Sequence, residues 1–190
     1  VRSLRGGCGR RSRAVGLAVS WSGGISRRKI DGDQGPRPPL LVSACLVGLD
    51  TRLDGRSRRF PTVAALAQRY TLISVCPEQS GGLATPRPPA EIVGGSGDDV
   101  LRGEARVCTD DGVDVTGAFV KGAEQAVRTA RLNGVKVAVL KARSPSCGVD
   151  ATYDGTFSHT LRPGSGVTAA RLRQEGLLLY TEEDCTALLS

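Results

Sequence analysis

The sequence predicts an α/β fold, a single domain with a mainly parallel sheet and helices on both faces. Three observations carry that expectation. Short apolar runs of strand length alternate with helix-like segments along residues 40–190. Several of those runs are continuously apolar, as strands covered on both faces must be. The chain has 190 residues, enough for one such domain with a real core and tight for two.

The elements follow in order. Leu40-Leu41-Val42-Ser43-Ala44-Cys45 is a short apolar run suited to a buried strand. Pro61 to Tyr70 reads as a helix with proline in its first turn. Thr71 to Val75 is a second buried strand. A long loop is expected next, because Gly81-Gly82, Pro86, Pro88-Pro89 and Gly94-Gly95 punctuate it. Arg106–Cys108 and Val113–Val115 flank Asp110-Asp111-Gly112, a hairpin signal. Thr116 can cap a helix reaching Leu132, with Ala118, Phe119, Gly122, Ala126 and Ala130 inward and Asn133-Gly134 as its stop. Val135–Leu140 is the clearest buried strand. Val167–Gln174 reads as a helix, Leu177–Tyr180 as a last strand and Thr181–Leu189 as a final helix. The alternation is that of a doubly wound, Rossmann-like sheet.

The net charge of +7 is not spread over the chain. Residues 1–39 hold nine basic and two acidic side chains, whereas residues 40–190 hold 17 of each. The body is neutral, which weighs against a nucleic-acid-binding domain. Residues 1–39 are rich in Arg, Gly and Ser, lack sustained periodicity and end in Gly35-Pro36-Arg37-Pro38-Pro39. Such a segment buries too little apolar surface to order itself, so a disordered basic extension is expected there and a folded domain over 40–190. An extension without a role, a targeting segment and a nucleic-acid arm remain open for it. No apolar run approaches the ~18 residues of a membrane span, so a cytoplasmic protein is expected. A single His excludes sites built on several histidines, and no G-x-S-x-G elbow accompanies His159.

The chemistry concentrates in cysteine. Of Cys8, Cys45, Cys76, Cys108, Cys147 and Cys185, none forms a C-x-x-C pair, so neither a zinc ribbon nor a thioredoxin-type pair is indicated. Cys108 and Cys185 suit the role of small core hydrophobes. The other three share an address. Cys45 closes the first strand, Cys76 closes the second, and Cys147 follows the strand ending near Lys141. Carboxyl ends of parallel strands line one edge of a sheet, so residues far apart in sequence can converge there. Three thiolates without histidine suit an iron–sulfur cluster better than a zinc ion short of ligands.

Several longer motifs surround these cysteines: Ser43-Ala44-Cys45-Leu46-x-Gly48, Val75-Cys76-Pro77-Glu78, Gly81-Gly82-Leu83-x-Thr85-Pro86-Arg87-Pro88-Pro89-Ala90-Glu91 and Lys141-x-Arg143-Ser144-Pro145-Ser146-Cys147-Gly148. With Asp54-Gly55, Asp114-Val115-Thr116, Tyr153-Asp154-Gly155-Thr156-Phe157 and Gly164-x-Gly166-Val167-Thr168-Ala169-Ala170, they resemble the thiouracil desulfidase (desulfurase) family over about residues 40–185. The resemblance implies a [4Fe–4S] cluster held by Cys45, Cys76 and Cys147 with one iron free of protein ligands. It implies desulfuration of a thiolated pyrimidine such as 2-thiouracil, with Glu78 and Ser144 catalytic. One stretch departs from the family: Leu49-Asp50-Thr51-Arg52-Leu53 stands where relatives usually carry an aromatic before Asp-Gly.

The same chemistry can be built from residue types. An open iron polarises a soft thiocarbonyl sulfur, a fourth cysteine would close that position, and water needs a general base. Glu78 lies two residues past Cys76 and is the candidate; a helix-start carboxylate is its bland alternative. Ser144 either orients water or substrate or caps the Pro145 bend. Arg87 is expected in a loop ion pair with Asp or Glu, with cluster neutralisation or anion binding as its other readings. Glu91, Asp98 and Asp99 are expected as solvated charges or caps, Asp154 as a turn residue and His159 as an exposed loop histidine. Two further function classes stand beside the enzyme. One is a non-catalytic iron–sulfur sensor or sulfur-delivery protein; the other, a nucleotide-binding α/β protein, lacks both G-x-G-x-x-G and a P-loop.

Overall fold

The structure, a computed structural model, describes residues 35–190; residues 1–34, with Cys8 and most of the basic extension, lie outside the described residues. The first contacts come just ahead of Leu40, where the Pro38 carbonyl accepts the Thr71 N–H at 3.0 Å and Arg37 donates to the Ala67 carbonyl.

Four parallel strands form the central sheet: β1 (Pro39–Ser43), β2 (Thr71–Val75), β5 (Val137–Leu140) and β8 (Leu178–Thr181). Their spatial order is β2-β1-β5-β8, so the chain reverses its winding direction between β1 and β5. That reversal is the switch point at which α/β sheets open a crevice beyond their strand ends. Side chains alternate across the sheet. Leu41, Ala138 and Leu140 face α4 (Thr116–Leu132) and α5 (Val167–Gln174). Leu40, Val42 and Val139 face the other way, toward Val63 on α1 (Pro61–Ala65), Leu66 and Cys185. Both faces are dry, which is why β1 is apolar at consecutive positions.

A third cluster lies outside the sheet. Antiparallel β3 (Ala90–Val93) and β4 (Arg106–Thr109) pack Ile92 and Val107 against Phe119 of α4 and Val100 of α3 (Gly97–Arg102). Ser96 and Asp99 form a capping box at the start of α3, so Asp99 is the expected cap. The Ser96 N–H and hydroxyl hold its carboxyl below the ordinary range.

Several expected elements change. The segment expected as a loop after β2 holds α2 (Pro77–Gly81), β3 and α3. The Asp110-Asp111-Gly112 turn forms, and a Cys108–Asp114 bridge with Thr109 N–H to Val113 and Val115 N–H to Val107 carbonyl bonds, each at 2.9 Å, joins its arms, but the main partner of β4 is β3. Thr116 does not cap α4; its hydroxyl accepts the Val107 N–H at 2.9 Å. The last helix is a 3-10 turn, Cys185–Leu189. The short pair β6 (Ala151–Tyr153) and β7 (Leu161–Pro163) was not anticipated. Among the described residues no helix is long and apolar enough to cross a membrane.

Helix α2 is too short to stand alone and is held by α4. The two backbones touch at paired glycines. A Cβ on Gly122 would lie 2.0 Å from the Pro77 carbonyl oxygen, and one on Gly81 would lie 2.0 Å from that of Ala118. Gly122→Ala is therefore expected to cost about 1–3 kcal/mol through overpacking. Gly117→Ala on the same helix, with nothing within 4 Å, should gain about 0.5–1 kcal/mol. Urea midpoints of the two variants check this, and an unchanged Gly122→Ala midpoint would show that the helices can part without cost.

Candidate active site

The carboxyl ends of β1, β2 and β5 open onto a cleft of about 500 Å³. Cys45 lies in the 3-10 turn Ala44–Val47 directly after β1. Gly48 closes that turn at φ 101°, a conformation any side chain would strain. Cys76 is the extended residue ahead of α2, with Pro77 at the first helical position. Cys147 sits in the loop after β5, where Ser144 Oγ accepts the Ser146 and Cys147 N–H groups, each at 3.1 Å. The buried Ser146–Thr168 hydroxyl pair, 2.8 Å apart, ties that loop to α5.

All three cysteines line the cleft, together with Glu78 and Ser144. Cys45 and Cys147 are only 8% and 5% exposed. Burial pushes the Cys147 thiol up to about 12, and Glu78, Cys45 and Cys76 add to the rise. Burial and Cys76 push Cys45 up to about 11, while Lys141 and Arg52 pull it back. Both buried thiols thus resist ionisation, chiefly through burial, and a cation placed beside them would relieve that cost. No three His, Cys, Asp or Glu side chains among the described residues are gathered to hold a metal ion. Cys185 lies in the core, its thiol 3.7 Å from the Glu182 carbonyl, and Cys108 is half-buried on β4; neither lines the cleft.

Glu78 occupies the first turn of α2, so the helix-start and cleft positions coincide. Arg87 does form a loop ion pair, and its partner is Glu78: Nε donates to Oε2 at 2.7 Å. Ser144 caps the bend at Pro145 and also borders the cleft. Asp154 makes the expected turn, accepting the Thr156 N–H at 3.0 Å. His159 is exposed at the cleft rim, edge-to-face with Tyr153 at 6.0 Å between ring centres.

Two cleft groups eluded the sequence. Glu91, expected as a solvated charge or cap, is buried on β3, and its Oε2 accepts the Gly155 and Phe157 N–H groups at 2.9 and 3.0 Å. The signal was present: the Ala90-Glu91-Ile92-Val93 run has strand character, masked by the prolines before it. Lys141 meets the buried Glu182 at 2.5 Å, and Glu182 also accepts the Ala142 N–H at 2.8 Å. That pair depends on β5 and β8 being neighbours, which no local pattern announces.

Fold and cleft together define a parallel α/β protein with a thiol-lined site at its switch point. A model of the 2-thiouracil desulfurase family matches residues 40–184, and the chain belongs to that family. The chain is 41% identical over 150 residues to the protein YbbK of Bacillus subtilis (strain 168), covering 79% of this chain and 99% of that protein. The solved structure of the [4Fe–4S]-dependent thiouracil desulfidase TudS is similar with a TM-score of 0.70 and 37% identity, over 80% of this chain and 96% of that one.

The buried Glu91 carboxylate gives a test of how the 153–159 rim is held. Glu91→Ala strands two N–H groups and should cost about 1–3 kcal/mol, while Glu91→Gln, which keeps one oxygen acceptor, should cost less. Chemical denaturation measures both. Equal losses in the two variants would mean that packing, rather than the two accepted bonds, fixes the rim.

Proposed function

We propose that this chain is an iron–sulfur-dependent desulfidase that converts a thiolated pyrimidine, 2-thiouracil or a close analogue, to the oxo base. The observation that carries the reading is the convergence of Cys45, Cys76 and Cys147 from three strand ends on one cleft beside Glu78. The donor set fits a [4Fe–4S] cluster. Three soft thiols are present, burial disfavours the charged forms of Cys45 and Cys147 without a cation, and no three ligands among the described residues are gathered for a single ion. Cys45, Cys76 and Cys147 would hold such a cluster, and an iron left without a protein ligand would supply a Lewis acid for a soft thiocarbonyl sulfur.

The chain's own residues do the rest. The thiocarbonyl carbon gains the oxygen of one water and loses its sulfur, and both water protons leave with the sulfur. Glu78 takes the first proton as water attacks and returns it toward the departing sulfur or a ring nitrogen. Ser144 Oγ already accepts two backbone N–H groups, so its own proton is the part left to donate. It orients the water or the substrate's remaining carbonyl.

Anaerobic reconstitution with iron and sulfide, followed by a visible spectrum and a thiouracil assay, tests the reading. Alanine at Cys45, Cys76 or Cys147 should abolish the broad cluster absorption, and Cys108→Ala and Cys185→Ala should keep it. Glu78→Gln should assemble the cluster normally and lower turnover by about 10²–10⁴-fold. A cluster without activity on any thiolated base would favour a sensor or sulfur-delivery role. Wild-type turnover in Glu78→Gln would remove the carboxylate from the chemistry.

A further inference from the structure

Arg87 sits behind Glu78 with its guanidinium almost entirely spoken for. Nε donates to Glu78 Oε2 at 2.7 Å. One terminal nitrogen donates to Thr85 Oγ1 at 3.1 Å and to the Ala84 carbonyl at 3.2 Å. The other donates to the Thr51 carbonyl at 3.0 Å. The side chains of Arg87 and Glu78 are only 7% and 18% exposed. Thr51 O is also the acceptor that the Cys76 thiol faces, at 3.7 Å. One planar group therefore joins the segment after β1, the start of α2 and the approach to β3.

The pairing is one-sided. An arginine free to turn meets a carboxylate with two parallel N–H groups. Here the terminal nitrogens are committed to Thr51, Ala84 and Thr85, so only Nε reaches the carboxylate. Among the described residues Oε2 is bonded, while Oε1 accepts no hydrogen bond. Glu78 lines both the main cleft and a smaller apolar cavity of about 220 Å³ beside it, so its rotamer is not fixed by packing on every side. The guanidinium supplies the missing restraint.

We propose that Arg87 is a positioning residue for Glu78: it pins Oε2 and leaves Oε1 as the oxygen that exchanges a proton with water or substrate. The inference rests on the general acid/base reading of Glu78. Lysine cannot substitute, because one ammonium on a flexible stem cannot meet four acceptors in a plane.

The test compares Arg87→Gln, Arg87→Lys, Glu78→Gln and the Arg87→Gln/Glu78→Gln double variant in the full-length, cluster-loaded protein. Arg87→Gln and Arg87→Lys are expected to keep wild-type iron and sulfide content and visible spectrum. Their kcat should fall by about 10–10²-fold, with KM changed less than about threefold, as when an orientation rather than a binding contact is lost. In the double variant kcat should fall no further than in Glu78→Gln alone, since residues acting through one another are not additive. The cluster-free proteins supply a second readout: urea midpoints of the same four chains should be non-additive in the same sense.

Outcomes separate the two ideas. Wild-type turnover in Glu78→Gln defeats the role of Glu78 whatever Arg87 does. A disabled Glu78→Gln with fully active Arg87→Gln, or kcat losses that multiply in the double variant, overturns the positioning role alone. Loss of the cluster in both Arg87→Gln and Arg87→Lys also overturns it, and makes the arginine part of the scaffold. If Arg87→Gln does not fold, Arg87→Lys carries the comparison.

Discussion

The cleft depends on two helix backbones lying in contact with no side chain between them. Gly81 of α2 meets the Ala118 carbonyl, and Gly122 of α4 meets the Pro77 carbonyl. A five-residue helix has no stability of its own, so α2 is wherever α4 puts it. Cys76 and Glu78 sit at its first turn, and their distance from β1 and β5 is therefore set by how deeply α2 settles. Helix α4 is fixed in turn: Ala126, Val127 and Ala130 pack on the sheet, and Phe119 packs under β3 and β4. A contact between two helix backbones thus becomes the position of a thiol and a carboxylate.

The cleft gathers more buried charge than stability would ask for. Lys141–Glu182 and Arg87–Glu78 are both largely removed from water. Taking two ions out of water costs as much as their attraction returns unless further hydrogen bonds complete them. Both pairs have such bonds: Glu182 accepts the Ala142 N–H, and Arg87 reaches three backbone or hydroxyl oxygens. Glu91 follows the same rule without a cation, holding two N–H groups of the opposite rim. Each carboxylate fixes a piece of chain that borders the thiols, so these buried charges serve to hold shape around a reacting centre.

How much of this was legible follows from the kind of signal each part leaves. β1, β2, α4, α5 and β8 announce themselves through apolar runs or helical spacing, and the structure places them within two residues of expectation. The cysteine address was legible for a related reason: a residue at the end of a parallel strand has its edge decided by topology. The short elements α2, β3, α3, β6 and β7, which lack a continuous apolar run, were not. Pro77-Glu78-Gln79-Ser80-Gly81 has a helix start but is too short to show a period, and its contact with α4 holds it as a helix. Ala90–Val93 sits behind two prolines, and its antiparallel partner lies beyond α3. Pairings such as Lys141 with Glu182 or Arg87 with Glu78 need the tertiary neighbours first.

The two rims of the cleft differ in a way that bears on how a flat ring would be held. On one side stand Thr51, Arg52 and Leu53, with Leu53 42% exposed and no aromatic in the segment. On the other stand Tyr153 and His159, the aromatic residues of the cleft wall. A flat ring gains most from an aromatic face, and in this cleft the aromatic side chains lie on the 153–159 rim. Within that rim the Thr156, Ser158 and Thr160 hydroxyls bond to one another in a chain, and Phe157 and His159 both adopt positive φ. Its restraint is the Glu91 carboxylate and the close seat of Gly155, where a Cβ would lie 2.6 Å from the Ile92 carbonyl oxygen. The aromatic face and the Arg87-held carboxylate are therefore set by residues four positions apart, at the entry to one strand.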